Sequence, residues 1–177
     1  MSSYIRGSLD SCLSYIDAFS EFTGRLVAWL TVAMMIVTCV IVVLRYGFSI
    51  GSIGLQESIG YMHAAVFLLA MAFTLRRDGH VRVDIFYRQF NAHQKAWVNA
   101  LGSLLFLLPI CGFILITSWE FVANSWAIKE SSPNANGLPL IYLLKSLIPL
   151  SAVLLALQGL AEVVRSLLTL TGEESAQ

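Results

Sequence analysis

Four apolar runs separated by short polar stretches set the pattern of this chain: Phe22 to Leu44, Leu55 to Leu75, Ala96 to Trp119 and roughly Leu140 to Leu168. At about 1.5 Å of rise per residue, each run can cross a hydrocarbon core of about 30 Å, the fourth with residues to spare for tilt. Lipid offers no partner to a bare N–H or C=O, so each run is expected to be a helix. No small-residue cleavage pattern follows the first run, which is also long for a signal-peptide core, so it reads as a retained helix. The pattern predicts an all-α membrane protein, with one domain over 22–168 made of four transmembrane helices (about 22–44, 55–75, 96–119 and 140–168).

Ahead of the first run, Ile5, Leu9, Cys12, Leu13, Ile16 and Phe19 recur at helical spacing, while Asp10, Ser14, Asp17 and Glu21 occupy other faces. This predicts an interfacial amphipathic helix within 1–21, the alternative being a frayed tail. Residues 169–177 read as a disordered polar tail. No internal repeat and no second domain is visible.

Composition agrees with the pattern: 57% of the 177 residues are hydrophobic and 12% charged, more apolar side chain than a soluble domain buries. A formal charge of zero argues against a nucleic-acid partner, which would require a basic face. The charges present are unevenly placed. Between Arg76 and Lys95 lie Arg76, Arg77, Arg82, Arg88 and Lys95 against Asp78 and Asp84, whereas the loop after Leu44 holds only Arg45 and the one after Trp119 only Lys129. The positive-inside rule makes the central loop cytoplasmic. Four crossings then put both termini inside, consistent with Arg6, Arg25 and Arg165.

Little in the chain points to chemistry. Cys12, Cys39 and Cys111 form no Cys-x-x-Cys pair and read as small apolar fillers rather than a redox dithiol. Of His63, His80 and His93 only His63 lies at membrane depth, which argues against bis-histidine haem ligation. For His63 a hydrogen bond to a neighbouring helix is the plainer reading and a proton relay the less favoured one. No catalytic, cofactor-binding or metal-binding residue is expected.

Arg45, Glu57, Glu120 and Lys145 cluster at the periplasmic end of this topology, and Lys145 is expected to pair with Glu57 or Glu120, in this chain or on a partner. The midplane carries almost no charge, whereas transport sites sit there on broken helices. Pro109 and Pro149 each remove a backbone donor and free the carbonyls of Leu105 and Lys145, which predicts a kink at both places. Gly60 with Ala64, and Ala152, Ala156 and Gly159, fall at helix-packing spacing, read as internal packing ahead of a partner interface. Trp97, Trp119, Trp126 and Tyr142 sit where an aromatic belt belongs.

These features occur in a recognisable order. Arg45-Tyr46 closes the first helix and Glu57 opens the second; Arg76 and Gly79-His80-Val81-Arg82-Val83-Asp84 follow; Gly137-Leu138-Pro139, Lys145, Ile148-Pro149 and Leu157-Gln158 run into and through the fourth. Over roughly Phe22 to Leu168 the chain resembles the small membrane (Q-type, DctQ-like) subunit of tripartite ATP-independent periplasmic (TRAP) transporters. It departs from the family pattern in having Gly54-Leu55-Gln56 before Glu57, where a Trp often stands. The resemblance implies a bacterial inner-membrane scaffold for a large permease subunit that holds the substrate and sodium sites and works with a periplasmic solute-binding protein. The residues for a partner interface or structural role are Arg45, Glu57, Arg76, His80, Arg82, Asp84, Glu120, Lys145 and Pro149.

The charged block has two readings of equal weight. Arg76, Arg77 and Arg82 can meet lipid headgroups and Asp84 can cap a helix running into Phe86 and Tyr87, so the block fixes topology; or it docks the large subunit. Two other classes stay open, a small standalone four-helix transporter or channel, and a membrane redox or enzyme subunit.

Overall fold

The computed structural model describes residues 3–80 and 87–173. The chain is all-α, with no strand among the described residues. In chain order the helices are α1 (Ser3–Gly47), α2 (Ile53–Leu69), α3 (Met71–Arg76), α4 (Ala92–Gly102), a π-helical turn (Ser103–Leu107), α5 (Leu108–Ala127) and α6 (Ile141–Glu173). Four stretches are long and apolar enough to cross a membrane: Ser11–Gly47, Ile53–Arg76, Ala92–Ala127 and Ile141–Gly172.

The helix starts follow from local chemistry. Ser52 accepts the Leu55 N–H (3.4 Å) and caps α2. At α4, Asn91 Oδ1 accepts the Gln94 N–H (2.8 Å) while Gln94 Oε1 accepts the Asn91 N–H (3.1 Å), a reciprocal capping box. Two helix ends turn through a left-handed residue, Asp78 (φ 54°) after α3 and Lys129 (φ 47°) after α5. In each the next N–H reaches back five residues, Gly79 to the Thr74 carbonyl (2.9 Å) and Glu130 to that of Ser125 (3.0 Å).

The fourth span lies at the centre: α6 packs against α1, α2 and α3 on one side and against α4, the π turn and α5 on the other. Its inward face is small or polar, with Ser151, Ala152, Gln158, Ala161 and Ser166 buried and Gln158 fully so. Small residues let helices approach where no hydrophobic effect draws them together. Gly159 shows this: a Cβ there would stand 2.6 Å from Leu107 Cδ2. Gly24 of α1 likewise admits the Phe73 ring, whose Cδ2 would lie 2.7 Å from an added Cβ. The large apolar side chains of α1 and α5 mostly face outward, among them Trp29, Met35, Phe113 and Ile116.

Several expectations are corrected. The segment before the first span is not a separate helix, because α1 runs unbroken from Ser3 to Gly47. Asp17 and Glu21, on the polar faces of this segment, turn onto arginines of other helices, while Cys12 and Phe19 of its apolar face point out of the bundle. The fourth helix continues past Leu168 to Glu173, with Leu170 buried and Thr169 and Thr171 hydroxyls bonded to carbonyls of Arg165 and Leu167. At Pro109 the distortion takes the form of a π turn, in which the Leu108 N–H bonds the Ser103 carbonyl five residues back. The expected cap at Asp84, with Arg82, lies outside the described residues, as does the chain from 174 onward.

Candidate functional site

The polar side chains gather at the two ends of the bundle. At the basic end, α1 contributes Asp17 and Glu21, one turn apart on one face, and α6 contributes Gln158, Glu162 and Arg165 at the same kind of spacing. Packing α1 against α6 sets the two rows opposite each other. Gln158 Nε2 donates to Asp17 Oδ1 (3.2 Å), the Ser20 hydroxyl donates to Gln158 Oε1 (2.8 Å), and Arg165 bridges Asp17 and Glu162.

From the end of the second span Arg76 reaches Glu21 (2.5 Å) and Asp17 (3.6 Å), and Arg77 reaches Glu21 (2.6 Å). The Glu21 carboxylate raises the Arg77 pKa further above its usual value. Asn99 of α4 donates to Glu162 (3.2 Å) and accepts from the Tyr87 hydroxyl (3.1 Å), so all four spans join the network. An open cavity of about 850 Å³ adjoins it, bordered by Asp17, Glu21, Arg25, Arg76 and Arg165. Each of these arginines is engaged by a carboxylate, so the cluster is an internal clasp.

At the opposite end the segment 130–140 folds around one carboxylate. Glu57 accepts from the Ser132 hydroxyl (2.5 Å), the Asn134 amide (2.9 Å) and the Leu138 N–H (2.7 Å). Gly137 is required by this closeness, since a Cβ there would lie 2.8 Å from Glu57 Oε1. Beside it Lys145 Nζ meets Glu130 (2.5 Å) and lies over the Phe121 ring, 4.0 Å from its centroid. The Ser125 hydroxyl also donates to Glu130 (2.7 Å). The Lys145 contact first, and Ser125 second, lower the Glu130 pKa below its usual 4.5.

Lys145 therefore pairs with neither Glu57 nor Glu120. The left-handed turn at Lys129 folds Glu130 back over α5, and the Ile141 N–H bonds the Glu130 carbonyl (3.2 Å), so the short connection delivers Glu130 to the first turns of α6. Glu57 is already saturated by the loop, and Glu120 is exposed, with no partner among the described residues. Arg45 is exposed in the last turn of α1 and His80 in the connection after α3; Pro149 lies within α6. Of the expected residues the structure joins Arg76 to the basic clasp and sets Glu57 and Lys145 in neighbouring clasps. Sequence reasoning missed Asp17, Glu21, Gln158 and Arg165, although the i, i+4 acidic pair and the Gln-Glu-Arg row were visible signals. It also missed Glu130, Ser132 and Asn134, whose signal is a turn-rich SSPNANGLP stretch carrying polar side chains.

The family model described as tripartite ATP-independent periplasmic transporters, DctQ component, matches residues 34–169. The chain belongs to this family. No curated protein and no solved structure matches it. The match takes in the ends of all four spans opposite the basic clasp, and Arg76, Arg77, Gln158, Glu162 and Arg165 within it. Asp17 and Glu21 lie ahead of it, so the DctQ-matching region meets the N-terminal part of α1 through this ion network.

Proposed function

We propose that this chain is the small, non-catalytic membrane subunit of a TRAP transporter, a fixed scaffold for the large permease subunit during sodium-coupled uptake of an organic acid delivered by a periplasmic binding protein. The observation that carries the reading is the DctQ match across 136 of 177 residues, counted from 34 to 169 inclusive. The distribution of charge supports it. Asp17, Glu21, Arg76 and Arg165 gather at one end of the bundle and Glu57, Glu130 and Lys145 at the other, with no Asp, Glu, Lys or Arg at mid-depth among the described residues, an arrangement suited to holding shape rather than moving a charged solute. The protein sits in the bacterial inner membrane with both termini cytoplasmic, and the basic end meets anionic lipid headgroups.

Copurification in mild detergent tests the reading. A large polytopic permease retained with the chain supports it; a chain that purifies alone, or that gives solute flux when reconstituted alone, overturns it. For orientation, a cysteine at exposed Ala135 should react with an impermeant thiol reagent in intact cells and one at Gln89 should not.

A further inference from the structure

We propose that the outward face of α2, centred on His63, is the surface on which a transmembrane helix of the permease subunit docks, presenting a hydrogen-bonding side chain at the depth of His63. The inference rests on the subunit reading above and names the place of contact.

His63 stands ten residues from Ile53 and thirteen from Arg76, so its Cα lies about 15 Å and about 20 Å from the ends of the second span. At that depth its imidazole faces away from the bundle, exposed and without a partner among the described residues. Ionisable side chains within membranes turn to a bundle interior or a wet cavity, because hydrocarbon satisfies neither ring nitrogen. Outward threonine hydroxyls of the spans resolve this locally. Thr31, Thr38 and Thr117 donate to the carbonyls of Ala28, Met34 and Phe113 at 2.7, 2.7 and 2.8 Å. Exposed Gln56 and Glu120 lie near the ends of their spans, within reach of water. An imidazole at the middle of a helix can do neither.

The face around His63 is shaped for a helix. Gln56, Gly60, His63 and Phe67 are all exposed and follow one another at spacings of four, three and four, a single stripe along α2. A Cβ at Gly60 would meet nothing within 4 Å, so the backbone is open to close approach one turn from the imidazole. Lipid tails can cover this stripe but cannot bond His63. A neighbouring transmembrane helix bearing a carboxylate, amide or hydroxyl at that level does both, and the family is one component of a multi-component transporter.

The test compares the full chain with His63→Leu, His63→Gln and Gly60→Phe, reading the permease retained in mild detergent and the Tm of the free subunit. His63→Leu should lower retention about tenfold, the size of one interhelical hydrogen bond, with the free-subunit Tm unchanged or raised. Gly60→Phe should do the same by blocking approach, and His63→Gln should keep most of the retention. Wild-type retention in both His63→Leu and Gly60→Phe assigns the face to lipid and overturns the proposal. An oxidised Gly60→Cys chain that forms a dimer with itself, and no adduct with the permease, assigns the face to a second copy and also overturns it. If the wild-type chain retains no permease, the subunit reading fails first and takes this proposal with it.

Discussion

At the basic end, the side chains that meet come from as far apart in the chain as Asp17 and Arg165, 148 residues, and belong to all four spans. At the opposite end the Glu130–Lys145 pair spans 15 residues, and the Glu57 clasp ties one helix start to a single loop. The two clusters use the same chemistry on different tasks. The basic clasp closes the bundle, because opening it separates helices; the opposite clasps order a loop, which can open locally while the spans stay packed. The difference can be broken or sharpened by experiment.

Reversing charge at the basic clasp should have the largest effect. Arg165→Glu sets a third carboxylate beside Asp17 and Glu162, with side chains about a quarter to a third exposed. The loss should be about 2–3 kcal/mol, between that of a buried pair and a surface pair, seen as a Tm fall of roughly 5–10 °C. The double variant with Asp17→Arg should recover part of it; no recovery would mean that the residues act separately.

Next in size is Gln158→Leu, which deletes the hydrogen bonds to Ser20 and Asp17 at the most buried side chain of the protein. About 1–2 kcal/mol is expected, since such bonds between membrane helices are individually modest. An unchanged Tm would show that the Gln158 bonds add nothing to the packing and the Arg165–Asp17 pair that join α1 to α6.

Glu57→Ala should leave the Tm close to wild type but release the loop. Hydrogen exchange at the Leu138 amide, which Glu57 accepts, should speed up about tenfold while amides within α6 keep their protection. A matching loss across α6 would make the clasp part of the bundle closure and erase the contrast.

The smallest effect concerns Lys145 and Glu130. Lys145→Glu should be rescued in part by Glu130→Lys and not by Glu57→Lys or Glu120→Lys. The folded Glu130 pKa is depressed, so its stabilisation is complete above the unfolded value near 4.5 and is lost as pH falls through the folded one. Tm should therefore decline below about pH 4.5, and less steeply in Lys145→Met; identical slopes would leave the pair without a role in acid stability.

The four spans, the all-α class and the DctQ family were legible in the chain, as were Glu57 and Lys145 as polar residues needing partners, whereas Arg76 was read toward lipid or a large subunit. Spans can be read this way because lipid makes every backbone group seek its bond within its own segment, so length and apolar character decide the helix without reference to neighbours. The π turn before Pro109 was half legible, since the missing donor predicts a distortion but not its form. Partners are a different matter. Each residue turns the side-chain direction by about 100°, so whether Asp17 meets water or Arg165 depends on how α1 and α6 are each rotated within the bundle, where Gly24 of α1 packs on Phe73 of α3 and Gly159 of α6 on Leu107 of the π turn. The same holds for Lys145, whose carboxylate came from a turn at Lys129 that no periodicity announces. The sequence by itself determined what must cross a membrane and which charges must be compensated; the tertiary structure decided by which group, because compensation depends on the distances between helices and local pattern does not contain them.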